Sequence, residues 1–334
     1  MSAEAAFAVA AESVPEHWRV RDPREAERRI GAIRALARER RAVILAHNYQ
    51  LPEVQEAADV TGDSLGLALE AQGTGADLIV FCGVHFMAES AKILNPGKTV
   101  LLPSLAAGCA LADSITAESL LAWKERYPGH AVVTYINSSA EVKALSDICC
   151  TSANAVSVVR SLRSDRILFT PDRNLGRWVA RQVPEKEFVI YDGVCPTHDV
   201  LRDASVHRTR ALHPGAVVIA HPECREDVLA LADEVCSTTG MIAAVARHPA
   251  AHTFIVATEW ALIHQLKKRF PGREFIPADG CIGCRLHCPY MKMVDLGAVE
   301  RALRENVFEI DVDPGDAAGA RRALERMMAV PRDR

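Results

Sequence analysis

The sequence predicts an α/β protein made by internal triplication: three αβα sandwich domains with parallel sheets around a pseudo-threefold axis. One unit occurs three times, starting at residues 47, 135 and 221, that is 88 and then 86 residues apart. Runs of Val, Ile and Leu also alternate with helical patterns, which is typical of parallel strands covered on both faces. So long a period in only three copies favours small domains over a solenoid.

Each copy places the same residue types at the same positions. The residues in register are Val54, Val142 and Val228, and Asp59, Asp147 and Asp233. Every copy should form three strands separated by helices. The predicted strands are 42–46, 77–81 and 99–103; 131–134, 165–169 and 187–191; and 216–220, 253–257 and 274–277. The alternative is one large doubly wound sheet with coincidental similarity, which the register match disfavours.

The repeat also predicts the domain boundaries. We expect an N-terminal extension at 1–28, repeats at 29–114, 115–202 and 203–292, and a helical tail at 293–334. The first residues are rich in alanine, but Glu4 is acidic and no Lys or Arg precedes Arg19. A secretory signal would have a basic start, so we expect a cytoplasmic protein.

Composition narrows the class of function. The hydrophobic share of 49% and charged share of 25% are those of a globular protein, and no apolar run approaches the roughly 20 residues that span a bilayer. A formal net charge of -4 gives no reason to expect nucleic acid or a membrane as partner. Ten cysteines in a reducing compartment indicate metal ligation or thiol chemistry. Four in apolar surroundings should be buried hydrophobes: Cys82, Cys149, Cys150 and Cys236.

Polar side chains follow the first strand of each copy. They are His47 and Tyr49, Tyr135 and Asn137, and His221 and Glu223. Seventeen residues after the first of each pair, a hydroxyl residue precedes a helical pattern: Ser64, Ser152 and Thr238. Hydroxyl residues cap helices, and helix N-termini attract anions. Since ligands bind at the carboxyl ends of parallel strands, we expect one cavity suited to a small, multiply anionic molecule.

Each copy reaches a cysteine after its third strand. In the first two copies this residue is Cys109 and Cys195. In the third copy two cysteines are possible: the distance from the strand favours Cys281, while a following proline favours Cys288. Three thiolates from three domains can hold an iron–sulfur cluster with one iron free of protein thiolate. As a local zinc or ferredoxin site the run 281–288 is incomplete, although His287 is near.

Together these residues resemble the quinolinate synthase family over about residues 40–300. The motifs that carry the resemblance are "AHNYQLPEVQ", "GDSL", "FCGVHFMAESAKILNP", "AGCALADS", "YINSSAEVKA", "CTSANA", "GVCPTHD", "HPEC" and "CPYMKM". The resemblance implies three αβα domains on a pseudo-threefold axis. It also implies a 4Fe-4S cluster with three cysteine ligands, Cys109, Cys195 and Cys288, the last matching "CPYMKM", and one iron open to substrate.

The resemblance further implies a reaction. Iminoaspartate and dihydroxyacetone phosphate would condense to quinolinate, with loss of phosphate and two waters, in de novo NAD biosynthesis. No net redox change is needed, so the cluster would act as a Lewis acid. The implied substrate-binding residues are His47, Tyr49, Ser64, Tyr135, Asn137, Ser152, His198, His221, Glu223 and Thr238.

The implied reaction also requires side chains that transfer protons. We expect Glu223 to shuttle protons, assisted by Tyr49, His198 and His221. An L-aspartate oxidase or aspartate dehydrogenase would be a functional partner that supplies the unstable iminoaspartate.

Two further questions stay open on the sequence. Some relatives carry C-x2-C-x2-C where this chain has C-x2-C-x3-C, so Cys281 and Cys284 are either a redox-sensitive pair outside the cluster or two idle thiols. Rival functions are an iron–sulfur hydro-lyase of the aconitase type and a non-enzymatic redox or oxygen sensor. No G-x-G-x-x-G or G-x-x-x-x-G-K-[ST] stretch indicates a nucleotide site.

Overall fold

Three four-stranded parallel sheets occur in residues 22–280 and 286–333, the part of the chain that the computed structural model describes. Their strands are β1 (Ala42–His47), β2 (Val60–Gly62), β3 (Leu78–Cys82) and β4 (Thr99–Leu101); β5 (Ala131–Tyr135), β6 (Ile148–Cys150), β7 (Arg166–Thr170) and β8 (Glu187–Ile190); and β9 (Val217–Ala220), β10 (Glu234–Val235), β11 (Thr253–Ala257) and β12 (Glu274–Pro277). The spatial orders are β2-β1-β3-β4, β6-β5-β7-β8 and β10-β9-β11-β12. This identical order confirms the predicted α/β fold with threefold repetition.

The nine predicted strands are present, with ends within two residues of those expected. Each sheet has one more strand that was not predicted: β2, β6 and β10. These strands contain only two or three residues. A segment that short is too brief for any apolar run or alternation to show in the sequence.

Helices connect the strands and cover the sheets. In chain order they are α1 (Pro23–Glu39), α2 (Pro52–Ala57), α3 (Ser64–Gly73), α4 (His85–Leu94), α5 (Ala117–Arg126), α6 (Ala140–Ala144), α7 (Ala155–Ser161), α8 (Arg173–Gln182), α9 (Pro196–Asp199), α10 (Asp203–Leu212), α11 (Glu226–Leu229), α12 (Thr238–Arg247), α13 (Leu262–Arg269), α14 (Leu296–Glu305) and α15 (Pro314–Met328). Two short 3₁₀ helices span Ala112–Ser114 and Tyr290–Met293.

Helix α1 shows how the sequence specifies these elements. Asp22 caps it by accepting a hydrogen bond from the backbone N–H of Arg24 at 2.9 Å, and Pro23 occupies the first turn. Its buried residues recur every three or four positions: Ala26, Ile30, Ile33 and Ala37. This spacing places one apolar stripe against the core.

The repeated aspartates have a structural role that explains their register. The carboxylates of Asp59, Asp147 and Asp233 each accept the backbone N–H of the second or third residue of a first strand, namely Ile44, Val132 and Val218, at 2.8 Å. The backbone N–H of each aspartate donates to the carbonyl of the same strand residue. Each aspartate thereby ties the chain that follows the intervening helix back to the first strand.

The described part of the tail packs through helix α15 on the second repeat. Its buried residues, Gly319, Ala320, Ala323, Leu324 and Met327, form one helical stripe. A Cβ on Gly319 would lie 2.8 Å from the carbonyl oxygen and 3.0 Å from the Cα of Ala144, in α6. Only glycine therefore allows this approach of the two helix backbones.

Three of the four cysteines expected in the core are fully buried: Cys82, Cys149 and Cys150. The fourth expectation was wrong, because Cys236 is only partly buried. It directly follows β10, which is the edge strand of its sheet and leaves one side uncovered. Among the described helices, none combines the length and the apolar character needed to cross a bilayer.

Replacement of Gly319 by alanine should destabilise the protein by about 1–3 kcal/mol, because the new methyl group meets backbone atoms that cannot rotate away. The control is Gly31→Ala, an exposed helical position where a Cβ would meet no atom within 4 Å. There the better helix propensity of alanine should stabilise by about 0.5–1 kcal/mol. Urea unfolding measures both; equal effects of the two substitutions would contradict the packing described for α15.

Candidate functional site

A single cavity lies where the first strands of the three sheets end. It is lined by the thirteen side chains that the family resemblance implied for substrate binding and cluster ligation: His47, Tyr49, Ser64, Cys109, Tyr135, Asn137, Ser152, Cys195, His198, His221, Glu223, Thr238 and Cys288. His47 and Tyr135 are the last residues of β1 and β5, and His221 directly follows β9. The carboxyl ends of the sheets therefore bring distant parts of the chain together.

One cysteine from each repeat lines the cavity. Burial raises the pKa of the Cys109 thiol to about 12 and that of Cys288 to about 11, and it raises the pKa of Cys195 well above its ordinary value. The charge of Glu223 and the two other thiols raise the pKa of Cys195 further. Buried thiols that repel each other as thiolates need a positively charged partner to ionise together.

These three thiols fit an iron–sulfur cluster in donor chemistry. Thiolate sulfur is the ligand that iron–sulfur clusters use, and each thiol comes from a different repeat. Among the described residues, these three are the cysteines that line the cavity. Cys281 and Cys284, for which the sequence leaves a redox-sensitive pair and two idle thiols open, lie outside the described residues.

A second donor set overlaps the first. The ligand atoms of Cys195, His198 and Glu223 all lie within 4.8 Å of one another and could hold a single metal ion. His198 and Glu223 already bind each other, however, with Nδ1 of the histidine 2.7 Å from Oε2 of the glutamate. The described residues therefore offer two donor sets, which share Cys195.

Glu223 is the electrostatic centre of the cavity. Its Oε2 atom also lies 3.5 Å from Nδ1 of His221, whose ring stacks on that of His198 at a centroid distance of 4.8 Å. Burial raises the pKa of Glu223, but the adjacent histidines and a hydrogen bond from Tyr135 outweigh it, so the pKa falls below its ordinary value. Glu223 is therefore a carboxylate at neutral pH.

The buried threonine Thr258 links two of the predicted side chains, and sequence reasoning missed it. Its hydroxyl lies 2.8 Å from Nε2 of His198 and makes a short hydrogen bond with the hydroxyl of Tyr49. Burial, followed by the charge of Glu223, raises the pKa of Tyr49 well above its ordinary value, so the phenol stays neutral. A chain of hydrogen bonds thus runs from Glu223 through His198 and Thr258 to Tyr49.

The expected capping roles of Ser64, Ser152 and Thr238 are wrong. Ser64 and Thr238 are the first residues of α3 and α12, and the residues before them, Asp63 and Ser237, are the caps. Asp63 and Ser237 accept the backbone N–H three residues on, at 2.9 and 3.2 Å. Each of these two helices is preceded by polar residues at two adjacent positions, and either could cap the helix. In both cases the first of the two is the cap. The hydroxyls of Ser64 and Thr238 consequently reach the cavity.

Ser152 belongs to a turn before α7, whose capping position is Asn154. Its hydroxyl instead lies 3.1 Å from Nε2 of His221. This contact joins the second repeat to the third at the wall of the cavity.

The end of the chain binds two of these helix starts. Arg332 makes two hydrogen bonds to the carboxylate of Asp63, at 2.6 and 2.9 Å. The side chain of Asp333 accepts the backbone N–H groups of Val156 and Ser157 at the start of α7. Both tail residues line an outer cavity that shares Ser152 with the inner one. Sequence reasoning missed them because the tail lies outside the repeats.

One polar atom in the cavity wall has no protein partner. In the described part of the chain, the buried Oδ1 of Asn137 makes no hydrogen bond. Buried polar atoms are rarely left without a partner, so this one indicates a ligand in the cavity. Other lining residues that the sequence did not suggest are Thr151, Thr197, Glu259 and Met291.

The chain matches a family model described as "Quinolinate synthetase A protein" over residues 31–329. It is 53% identical to the quinolinate synthase of Geotalea uraniireducens over 301 residues, which cover 90% of this chain and 97% of that protein. It is 54% identical to the quinolinate synthase of Geobacter metallireducens with the same coverage. With the quinolinate synthase of Prochlorococcus marinus it shares 47% identity over 300 residues, covering 89% and 90% of the two chains.

Acid should destabilise the folded protein through two buried histidines. Burial lowers the pKa of His47 to about 4 and that of His221 to about 3, against 6.5 for an unperturbed histidine. Between about pH 6.5 and 4 the unfolded chain binds protons on these residues and the folded chain does not, so stability falls as pH decreases. Above about pH 6.5 this contribution is fully present.

The melting temperature measured against pH checks this expectation. His47→Gln should flatten the curve between pH 6.5 and 4, whereas His207→Gln, which changes an exposed histidine, should leave the slope as in the wild type. An unchanged slope in His47→Gln would show that His47 does not resist protonation.

Proposed function

The chain belongs to the quinolinate synthase family, and we propose that it condenses iminoaspartate with dihydroxyacetone phosphate to give quinolinate, phosphate and two waters. The observation that carries the proposal is the single cavity that collects thirteen side chains from three repeats. The atoms of this reaction balance without an oxidant or a reductant. Its product would serve NAD biosynthesis.

Cys109, Cys195 and Cys288 would hold a 4Fe-4S cluster at the cavity wall. When bound there, the cluster would supply a Lewis acid, an iron free of protein thiolate, that polarises a substrate oxygen. The mutual repulsion of the three buried thiolates supports this assignment, because a cationic iron–sulfur core offsets it.

Both substrates carry negative charges that the cavity must bind. The hydroxyls of Ser64 and Thr238 lie at the starts of two ten-residue helices, where backbone dipoles favour carboxylate and phosphate groups. Asn137, Ser152 and His47 line the same cavity and would complete this binding surface. His47 stays neutral at pH 7 because burial lowers its pKa to about 4, so it binds substrate by hydrogen bonds rather than by charge.

Proton transfer falls to the group around Glu223. As a carboxylate, Glu223 can accept a proton from a substrate carbon or nitrogen, and Nδ1 of His198 at 2.7 Å stabilises its charge. The link through Thr258 lets protons move between His198 and the phenol of Tyr49 without reaching water. Tyr49 would donate a hydrogen bond to a substrate carbonyl. His221, held by Ser152, would orient or protonate a departing oxygen.

The proposed function is tested on protein purified without oxygen. Iron and acid-labile sulfide should each amount to about four per chain. Quinolinate should form from oxaloacetate, ammonia and dihydroxyacetone phosphate, and not when the triose phosphate is omitted. Turnover of a single hydroxy acid without triose phosphate would instead identify a hydro-lyase. Full activity in a colourless, iron-free preparation would contradict the proposed cofactor.

Glu223→Gln should reduce turnover by about 10²–10⁴-fold while the protein keeps its iron, because the amide cannot accept a proton. The control is Glu141→Gln, an exposed glutamate on α6, which should retain the wild-type rate. Steady-state kinetics normalised to iron content measure the effect. A near-normal rate for Glu223→Gln would remove this residue from proton transfer.

A further inference from the structure

The strand pairing identifies one equivalent position in the three repeats at which two repeats have an acidic residue and one has an apolar residue. The last pairs between the first and third strands are Ala46 with Cys82, Thr134 with Thr170, and Ala220 with Ala257. Two residues beyond Cys82, Thr170 and Ala257 lie Val84, Asp172 and Glu259. The second and third repeats thus place a carboxylate where the first places valine.

Both carboxylates make the same two kinds of contact. Oδ2 of Asp172 accepts the backbone N–H of Cys195 at 3.2 Å, and Oδ1 accepts that of Leu175, in α8, at 2.7 Å. Oε1 of Glu259 accepts the backbone N–H of Cys288 at 3.3 Å, and Oε2 accepts that of Ala261 at 2.9 Å. Each carboxylate therefore accepts one hydrogen bond from the backbone at the start of the helix that follows the third strand. It accepts a second from the backbone of a cysteine further along the chain.

We propose that Asp172 and Glu259 are positioning residues that hold the backbones of two of the three cluster cysteines, and this inference rests on the proposed function. Both side chains are 0% exposed. A fully buried carboxylate is costly, and these two offset the cost by accepting two backbone N–H groups each. Such bonds restrict where Cys195 and Cys288 can place their sulfur atoms.

Cys109 is held differently. The equivalent Val84 is buried and offers no acceptor, and the sulfur of Cys109 itself lies 3.5 Å from the backbone N–H of Ala112. The sulfurs of all three cysteines accept backbone N–H groups from the turns that follow them, and the backbones of Cys195 and Cys288 are held in addition by a carboxylate.

Lys292 makes the Glu259 site distinct. Its ammonium lies 2.8 Å from Oε1 of Glu259 and over the ring of Trp260 at 4.6 Å, and it donates to the carbonyl of Tyr49. Among the described residues, Asp172 has no Lys or Arg in ion-pair contact. Loss of Glu259 alone would leave a buried ammonium unpaired, whereas loss of both charges would remove only the hydrogen bonds.

The experiment uses four variants purified without oxygen. Glu259→Gln and Asp172→Asn each replace two acceptor oxygens by one, so one backbone N–H loses its partner. The double variant Glu259→Gln/Lys292→Met makes the same change without an unpaired charge. Asp59→Asn is the control, an exposed aspartate whose carboxylate accepts the backbone N–H of Ile44 in β1. The measured quantities are iron per chain, the rate of iron loss to a chelator, and turnover per bound iron.

The three variants at Asp172 and Glu259 should lose iron about 10–100-fold faster than wild type, since these residues act through the ligands, and in Asp172→Asn the fall in turnover should follow the loss of iron. Asp59→Asn should behave as wild type. Wild-type rates of iron loss in Glu259→Gln, the double variant and Asp172→Asn would overturn the proposal, as would an equal loss in Asp59→Asn. Absence of iron from the wild-type protein would instead contradict the proposed function.

Discussion

The structure depends on the burial of ionisable groups at the point where three sheets end. Glu223 keeps its charge there because His198 and His221 lie against it, and the three thiols line the same cavity. Low-dielectric surroundings strengthen such contacts and make any unpaired group costly. The polar residues of the cavity are therefore tied to one another and to backbone N–H groups, and this network sets the positions of the groups that meet substrate.

Segments far apart in the chain supply that network. Thr258 of the third repeat connects Tyr49 of the first to His198, while Arg332 of the tail holds Asp63 beside Ser64. Lys292 joins Glu259 to the backbone at Tyr49. Because each repeat contributes only part of the site, the site is complete only when all three repeats pack together. The tail binds both the first repeat and the second.

The internal repeat made much of this predictable. His47, Tyr135 and His221 stand at one position in three copies, and that position is the carboxyl end of a strand. Thr258 and Glu259 could not be found in this way, because the equivalent residues are Gly83 and Pro171, and Val84 and Asp172, which share no residue type. Ser64 and Thr238 were misplaced as caps by one position, because the polar residues directly before them are equally able to cap, and Ser152 was misplaced by two. Arg332 lies in a tail without a repeat to align it.

We propose that one thiol from each repeat binds a common iron–sulfur centre. A crystal structure of protein purified without oxygen, with an anomalous map at the iron edge, tests it directly. We expect one compact iron peak bonded to the sulfur atoms of Cys109, Cys195 and Cys288, with one iron that no cysteine contacts. Iron bound elsewhere, or three sulfur atoms pointing away from a common centre, would contradict it.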